Sequence, residues 1–415
     1  MSAALAERGE DFLAEFARRC ASLPGALATR EAAARRFAAA GLPTRRLEAW
    51  RYTDLRALAA VSFAPAAAGA DAAALISALP NFAAPHLVLV NGKIAPASSN
   101  FPEGGGVGSF ALTPDFALRC APLAALNTML AEDGAVIRVA DGVDAATLAL
   151  AHLSLAEAGQ PIAVHPRHLI RLGAGARLTL IEYAAGQGCY WHNMVAEIAL
   201  GAGAQLTHIR LQTEAAPAFH VATIFADIGP AARYECFTLG LGAQLARTEI
   251  HARLGGAGGV AHLNAAQLLR GAQHGDITTV VAHDTPGGAS RQTVKSVLAD
   301  RARGVFQGRI EVARAAQKTD GYQMSQALLL SPEAEIDCKP ELEIFADDVK
   351  CSHGATIGAL DPDQLFYLRA RGIPEKLART LLVRAFLDEA IEGIAHAGAR
   401  AVLDRAIARW WEAEG

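Results

Sequence analysis

Cysteine and histidine stand two residues apart in Asp347-Asp348-Val349-Lys350-Cys351-Ser352-His353-Gly354-Ala355-Thr356. On an extended strand, residues i and i+2 share a face, so Cys351 and His353 project together while Ser352 points away. A thiolate beside an imidazole suits iron, zinc or an iron–sulfur cluster. Two donors are only half of a four-ligand sphere, so a metal held here needs ligands from elsewhere, a second chain being one source. The competing reading is a buried thiol beside a hydrogen-bonded imidazole. Cys351 shares parity with Val349, which favours that reading unless the strand bends after Asp347-Asp348.

Other chemistries leave weaker traces. There is no GxxxxGK[ST] run, no GxSxG and no HExxH among the 13 histidines. Gly256-Ala257-Gly258-Gly259-Val260-Ala261 fits a GxGxxA pattern, with Asp276 at the distance of an acidic ribose contact. Gly-Ala-Gly clusters recur in this chain as turns, however, so a corner explains it better than a dinucleotide site. The acid pair Asp347-Asp348 could belong to a sugar-cleaving β-helix, but such enzymes are usually secreted. The amino-terminal stretch carries early acids and no basic-then-apolar leader pattern, so a cytoplasmic location is expected.

Composition narrows the field further. The 415 residues carry 38 basic and 42 acidic side chains, a net charge of −4, which disfavours nucleic-acid and polybasic membrane binding. No strongly apolar run is long enough to span a membrane. The six cysteines are scattered without a CxxC pair, against a disulfide framework or a self-contained zinc site.

The elements that must position Cys351 and His353 announce themselves through a repeat. Gly173-Ala174-Gly175-Ala176-Arg177-Leu178-Thr179-Leu180-Ile181-Glu182 is echoed by Gly201-Ala202-Gly203-Ala204-Gln205-Leu206-Thr207-His208-Ile209-Arg210. The same interval leads to a third copy at Gly229, and a slightly shorter one to a looser fourth at Gly255. A near-constant period of this size means a solenoid, because one unit cannot bury its apolar face alone. The strand-like units and the missing leucine-rich signature select a parallel β-helix.

Superposed copies predict that the columns Leu178, Leu206, Tyr234, Val260 and Ile181, Ile209, Phe237, Leu263 point inward. The columns Arg177, Gln205, Arg233 and Glu182, Arg210, Thr238 are expected to face solvent. The same alignment stacks Leu180, His208, Cys236 and His262, a second candidate for metal binding or sulfur relay, although Leu180 shows that the position accepts plain core.

Helical periods flank the rod. Phe12, Phe16 and Cys20 make one stripe, and Thr44 is a candidate N-cap for a helix continuing through Leu47, Leu55 and Leu58. An Ala- and Gly-rich connector spans about 64–85, and Leu87 to Gly92 reads as a strand ending in a turn. At Asp361-Pro362 the period changes to helical, with an N-cap Asp and a Pro at the first position. Gly372-Ile373-Pro374 breaks that helix, and two amphipathic helices follow. Their apolar faces must pack on the β-helix or on another protein. The expected organisation is a helical domain with connector over 1–80, a parallel β-helix over 81–360 and a helical domain over 361–415.

Several ordered stretches also carry a resemblance. Glu48-Ala49-Trp50-Arg51-Tyr52-Thr53, Leu87 to Gly92, Arg291 to Gln323, Ala334 to Asp337, Asp347 to Thr356 and Gln364 to Ile373 together resemble the SufD family of iron–sulfur cluster assembly scaffolds. The resemblance implies a right-handed parallel β-helix with helical ends and no enzymatic activity of its own. It implies pairing with the homologous SufB through the β-helix. It also implies that SufC, an ABC-type ATPase, docks on the C-terminal helices, so this chain binds no nucleotide. It makes His353 a ligand at the SufB–SufD interface for iron or a cluster held transiently and shared with SufB, with Cys351 its neighbour. SufB itself fits less well, since such chains are longer and their cysteine-bearing motif is not seen. A structural brace for SufB remains the alternative, and a homodimer through the same edge stays open.

Overall fold

The computed structural model describes residues 3–66, 70–101, 106–109 and 121–412. Its repeat begins at a corner. Two residues before six successive strands of one sheet, the chain turns through the left-handed region: Gly175 and Gly203 at φ 67°, Ala231 at 53°, Gly258 at 70°, Gly287 at 72° and Lys318 at 60°. Glycine enters that region without a Cβ clash, which is why the repeat opens on Gly-Ala-Gly. Ala231 and Lys318 hold the same corner despite their side chains.

After each corner the chain runs along one sheet, crosses over and returns along the other. The first sheet includes Tyr190–Leu200, Phe219–Ile228, Leu245–Leu254, His274–His283, Arg303–Val312 and Glu335–Ile344. The second includes Asp144–Leu155, Arg177–Gln187, Gln205–Gln212, Arg233–Gly240, Val260–Leu269, Ala289–Leu298, Asp320–Leu329 and Lys350–Gly358. These neighbours pair in parallel, so each coil's backbone groups are satisfied by the coils on either side. The result is a parallel β-solenoid. The register runs from Arg177 to Gln205, Arg233, Val260, Ala289, Asp320 and Lys350. Coil length is therefore nearly constant, shortest between Arg233 and Val260 and longest between Ala289 and Asp320.

That register corrects three sequence expectations. The coil after Arg233 is one residue longer than the echo at Gly255 suggests, so Cys236 is followed by Leu263, and His262 pairs with Glu235 on the outside. Tyr234 likewise stacks on Ala261 rather than Val260, and Phe237 on Asn264. Second, Leu178 and Ile181 are an odd number of residues apart, so a pleated strand cannot point both inward. Leu178, Leu206 and Tyr234 fill the solenoid, whereas Ile181, Ile209 and Phe237 face outward beneath the C-terminal helices. Third, the same parity turns Glu182, Arg210 and Thr238 inward, where they are buried instead of meeting solvent.

Helices close the sides. α1 (Ala3–Arg19), α2 (Leu27–Ala40) and α3 (Arg56–Ala59) pack with α5 (Pro122–Leu130) on the first sheet around Trp191, Phe219 and Leu245. Between α2 and α3 the expected helix after Thr44 is absent; turns and a short 3-10 segment, Glu48–Trp50, replace it. Thr44 Oγ1 accepts from the Arg46 amide instead of capping a helix. Within the connector lies the short α4 (Ala73–Ser77). Buried Arg30 donates to the Met129 and Ala131 carbonyls at 3.0 and 2.7 Å, covering the C-terminal carbonyls of α5. Burial, aided by Arg167, pulls the Arg30 guanidinium down to about 10, still charged at neutral pH.

At the other end, Asp361 Oδ1 accepts from the amides of Asp363 and Gln364 at 2.8 and 3.4 Å and starts α6 (Pro362–Ala370), as its sequence promises. α7 (Glu375–Ile391) and α8 (Ala397–Glu412) then lie across the outer face of the second sheet. Buried Lys295 reaches Glu389 and Phe386 of α7, pinning that helix. Cys120 lies outside the described residues; the other five cysteines are free thiols. Among the described residues no helix is long and apolar enough to cross a membrane.

Candidate metal centre at the open end

Stacking stops at the last coil. Lys350–Gly358 pairs only with Asp320–Leu329, and Glu335–Ile344 only with Arg303–Val312, leaving one edge of each unpaired within the described residues. No residue of either strand is buried. Cys351 and His353 share the inward face, as the i, i+2 spacing predicts, but here the inward face opens on solvent. His353 is exposed and Cys351 half-buried.

Local packing sets the Cys351 sulfur. It sits against a small cluster formed by Ile310, Val312, Ala316 and Ala346, with Val349 beside it. A Cβ on Gly321, its partner on the preceding coil, would come within 3.3 Å of Sγ and 3.2 Å of Ile310, so glycine leaves the sulfur its room. At Gly354 the Met324 methyl would lie 2.9 Å from a Cβ, a contact that the flexible end of that side chain could relieve by moving.

A third donor, missed from the sequence, faces the same open interior. Cys338 lies on the opposite strand, with Sγ 3.3 Å from Ser325 Oγ. The alternation Glu335-Ile336-Asp337-Cys338 already places it on the apolar, inward side. Burial pushes both the Cys351 and Cys338 thiols up, so each is protonated at neutral pH and becomes a strong ligand only when a cation displaces its proton.

The second sequence candidate proves to lie on the same column. Leu180, His208, Cys236 and Leu263 stack in register; the constant offset on either side of Leu263 places Gln292 above it, followed by Gln323 and His353. His262 is not a member. His208 is already committed, with Nε2 3.0 Å from Glu182 Oε2 and Nδ1 3.2 Å from the Tyr234 hydroxyl. Arg210 donates to Glu182 Oε1 at 2.9 Å. Burial alone would raise the Glu182 carboxyl, but Arg210 and His208 outweigh it and hold the group well below the usual range. Cys236 is buried, and desolvation raises its thiol. His208 and Cys236 therefore belong to an internal polar network.

The Trp50-Arg51-Tyr52-Thr53 stretch also has a structural task. Arg247, fully buried on the outer face of the first sheet, lies 4.1 Å over the Trp50 ring. It pairs with Asp276 and, at 3.0 Å, with Glu249; against the opposing effect of burial, Arg247 and His251 pull the Glu249 carboxyl down to about 2. Thr53 Oγ1 bonds the Asp276 carboxylate and lies 2.9 Å from His274 Nε2. The motif thus anchors the amino-terminal segment to the rod.

Among the described residues, large apolar side chains stay exposed at the open end and on the C-terminal helices. At the open end Phe345 is 65% exposed and Ile357 55%. On α6 and α7, Phe366 is 73% exposed, with Tyr367, Leu377 and Leu381 also exposed. Such patches mark contact surfaces.

Comparison with known proteins follows these features closely. The family model "SUF system FeS cluster assembly, SufBD core domain" matches residues 154–386, and "SufBD protein N-terminal region" matches residues 20–148. The iron-sulfur cluster assembly protein SufD of Escherichia coli is 33% identical over 367 residues, covering 86% of each chain. An iron-sulfur cluster assembly SufBD family protein of Synechocystis is 34% identical over 396 residues, covering 88% of this chain and 86% of its own. A chloroplastic protein of Arabidopsis thaliana is 30% identical, covering 84% of this chain and 78% of its own.

Proposed function

The chain belongs to the SufBD family of iron–sulfur cluster assembly proteins, and from that premise we propose that it is the SufD-type half of a scaffold pair. The observation that carries this reading is the terminal coil. It offers an unpaired edge, an exposed His353 and a half-buried Cys351 to whatever stacks next. A homologous SufB rod docking there continues the sheets and brings the missing ligands, so iron and sulfide, the cargo, are held between two chains. When the isolated chain has no SufB, the same edge serves a homodimer.

The helical end, 361–415, is the seat of the SufC ATPase. Phe366, Tyr367, Leu377 and Leu381 supply its apolar contact. ATP binding draws two SufC subunits together and levers the scaffold pair, exposing Cys351 and His353 to incoming cargo; cluster release follows closure. The lever works only if ATP-bound SufC favours the open arrangement. This chain acts in the cytoplasm as a scaffold, holding ligands rather than turning over substrate.

The test is His353→Ala in the co-expressed complex, read by assembly and by bound iron and sulfide. Normal assembly with iron and sulfide down at least about tenfold supports the ligand role. Unchanged iron and sulfide would leave only the brace reading, which the apolar packing and raised thiol of Cys351 favour.

A further inference from the structure

Inside the rod, away from the open end, three buried donors converge. His192 projects inward from Tyr190–Leu200, and His220 from the next strand of the same sheet, Phe219–Ile228, in direct register. Glu214 reaches them from the corner between Gln205–Gln212 and Phe219–Ile228. The two Nδ1 atoms are 3.2 Å apart. His192 Nδ1 lies 3.3 Å from Glu214 Oε1, and His220 Nδ1 lies 2.6 Å from Oε2. All three side chains are at most 2% exposed.

This is an awkward arrangement for two imidazoles and a carboxylate alone. If both Nδ1 atoms carry protons, two N–H groups crowd each other at 3.2 Å; if only His220 Nδ1 does, its one hydrogen must serve both Glu214 Oε2 and the His192 lone pair, which also lies 3.3 Å from Oε1. A cation removes the conflict by accepting all three lone pairs. Donors held at about 2.0–2.1 Å by a tetrahedral ion sit ~3.3 Å from one another, close to the separation of the two nitrogens and of His192 Nδ1 from Oε1 here, so Oε1 is the oxygen that binds and the 2.6 Å between His220 Nδ1 and Oε2 lengthens as the ion enters. The carboxylate is also oriented from behind. Gln212 Nε2 donates to Glu214 Oε2 at 3.1 Å, while Gln212 Oε1 accepts from the Gly242 amide at 3.0 Å.

Two further observations point to a ligand. The imidazoles continue as a chain through the interior, crossing to His152 of the second sheet: ring centroids of His220 and His192 are 5.0 Å apart, His192 and His152 5.0 Å, and His152 and His168 4.9 Å. Both His152 nitrogens, His168 Nε2 and His192 Nε2 lack a hydrogen-bond partner although buried. Unsatisfied buried nitrogens are costly, and a row of them is a polar interior with work to do. Glu214 also lines a cleft of about 1160 Å³ between the coil corners and α8, shared with Thr213, Arg270 and Trp410. The residue thus bounds the cleft outside while its carboxylate meets the imidazoles inside.

We propose that His192, Glu214 and His220 form a binding site for one first-row divalent cation, zinc or ferrous iron, inside the solenoid and separate from Cys351 and His353. Two imidazoles and one carboxylate are the donor set those ions take, with a fourth position left for water.

The experiment uses the full chain, expressed in medium supplemented with zinc or with ferrous iron. It is repeated on chelator-stripped protein dialysed against cobalt(II) as a spectroscopic probe. Metal content after gel filtration should be close to one equivalent, with the visible bands of tetrahedral cobalt. His192→Asn/His220→Asn should lose the metal, and the near-isosteric Glu214→Gln should weaken it at least about tenfold. Cys351→Ser/His353→Ala should keep it. Gel filtration and circular dichroism identify variants that fail to fold, and the isosteric variant keeps the test decisive if the double variant does. No retained metal in the parent chain, or metal unchanged by Glu214→Gln and by the double variant, overturns the proposal.

Discussion

The coils around Glu182 and the coil that carries His353 share a backbone plan and differ in what lies above them. In the former, a neighbour on each side pairs every strand, and the inward residues, polar or not, are sealed from solvent. In the latter, stacking ends, and residues on the same inward column become accessible. His208 and His353 illustrate this well: two imidazoles on one column, one locked between Glu182 and Tyr234, the other exposed. The position where a solenoid's repetition stops is thus where its inward side chains become reachable.

The largest test of that contrast is thermodynamic. Arg210→Ala leaves the Glu182 carboxylate buried without its main cation and should cost about 3–5 kcal/mol in urea unfolding. His353→Ala should change stability by no more than about 0.5 kcal/mol. Similar values for the two variants would erase the distinction between sealed and open coils.

Association gives the next effect. Phe345→Glu places a charge in the exposed apolar patch beside the open edge. It should weaken association with a SufB-type partner by about 2–4 kcal/mol while leaving unfolding unchanged. Pull-down at graded concentrations reads the loss, and undiminished capture would move the interface elsewhere.

On the sealed flank, Glu389→Gln removes the carboxylate from buried Lys295 and should destabilise the docking of α7 by about 1–2 kcal/mol, visible as earlier proteolysis of the C-terminal helices. Unchanged proteolysis would mean that apolar packing alone holds α7.

A last effect is a pH slope, absent near neutrality and felt only in acid. Burial pulls the His283 imidazole down to about 4, so the native state keeps it neutral while the unfolded chain protonates it near 6.5. The unfolded state then binds more protons between those values. The contribution of His283 is complete above about pH 6.5 and is lost as pH falls towards 4. His283→Gln should flatten that part of the stability profile, and an unaltered slope would assign the acid sensitivity to other groups.

Much of this architecture was written in the chain. The Gly-Ala-Gly echoes mark the left-handed corners at Gly175 and Gly203, and Asp361-Pro362 starts a helix where those residue types say it should. The reading failed where a local rule met a long-range one. Ile181 is apolar because α7 and α8 cover it, and nothing in its own strand announces helices from the far end of the chain. Glu182 and Arg210 look like solvent residues until their odd spacing from Arg177 and Gln205 is taken seriously. The coil after Arg233 keeps one residue more than the Gly229 to Gly255 echo, which moves His262 out of a column it seemed to share with Cys236. Conversely, His192 and His220 are separated by the same interval as Gly173 and Gly201, one coil, and that spacing alone would have stacked them.

If the last coil is an unfinished stack awaiting a homologous rod, its outer edge must stay unprotected until that rod arrives. Amide hydrogen exchange resolves it directly. In the monomer fraction, amides of Lys350–Gly358 on the unpaired edge should exchange far faster than those of Asp320–Leu329, and adding the SufB-type partner should protect them. Equal protection of the two strands in the monomer, or no change on adding a partner that demonstrably binds, would contradict it.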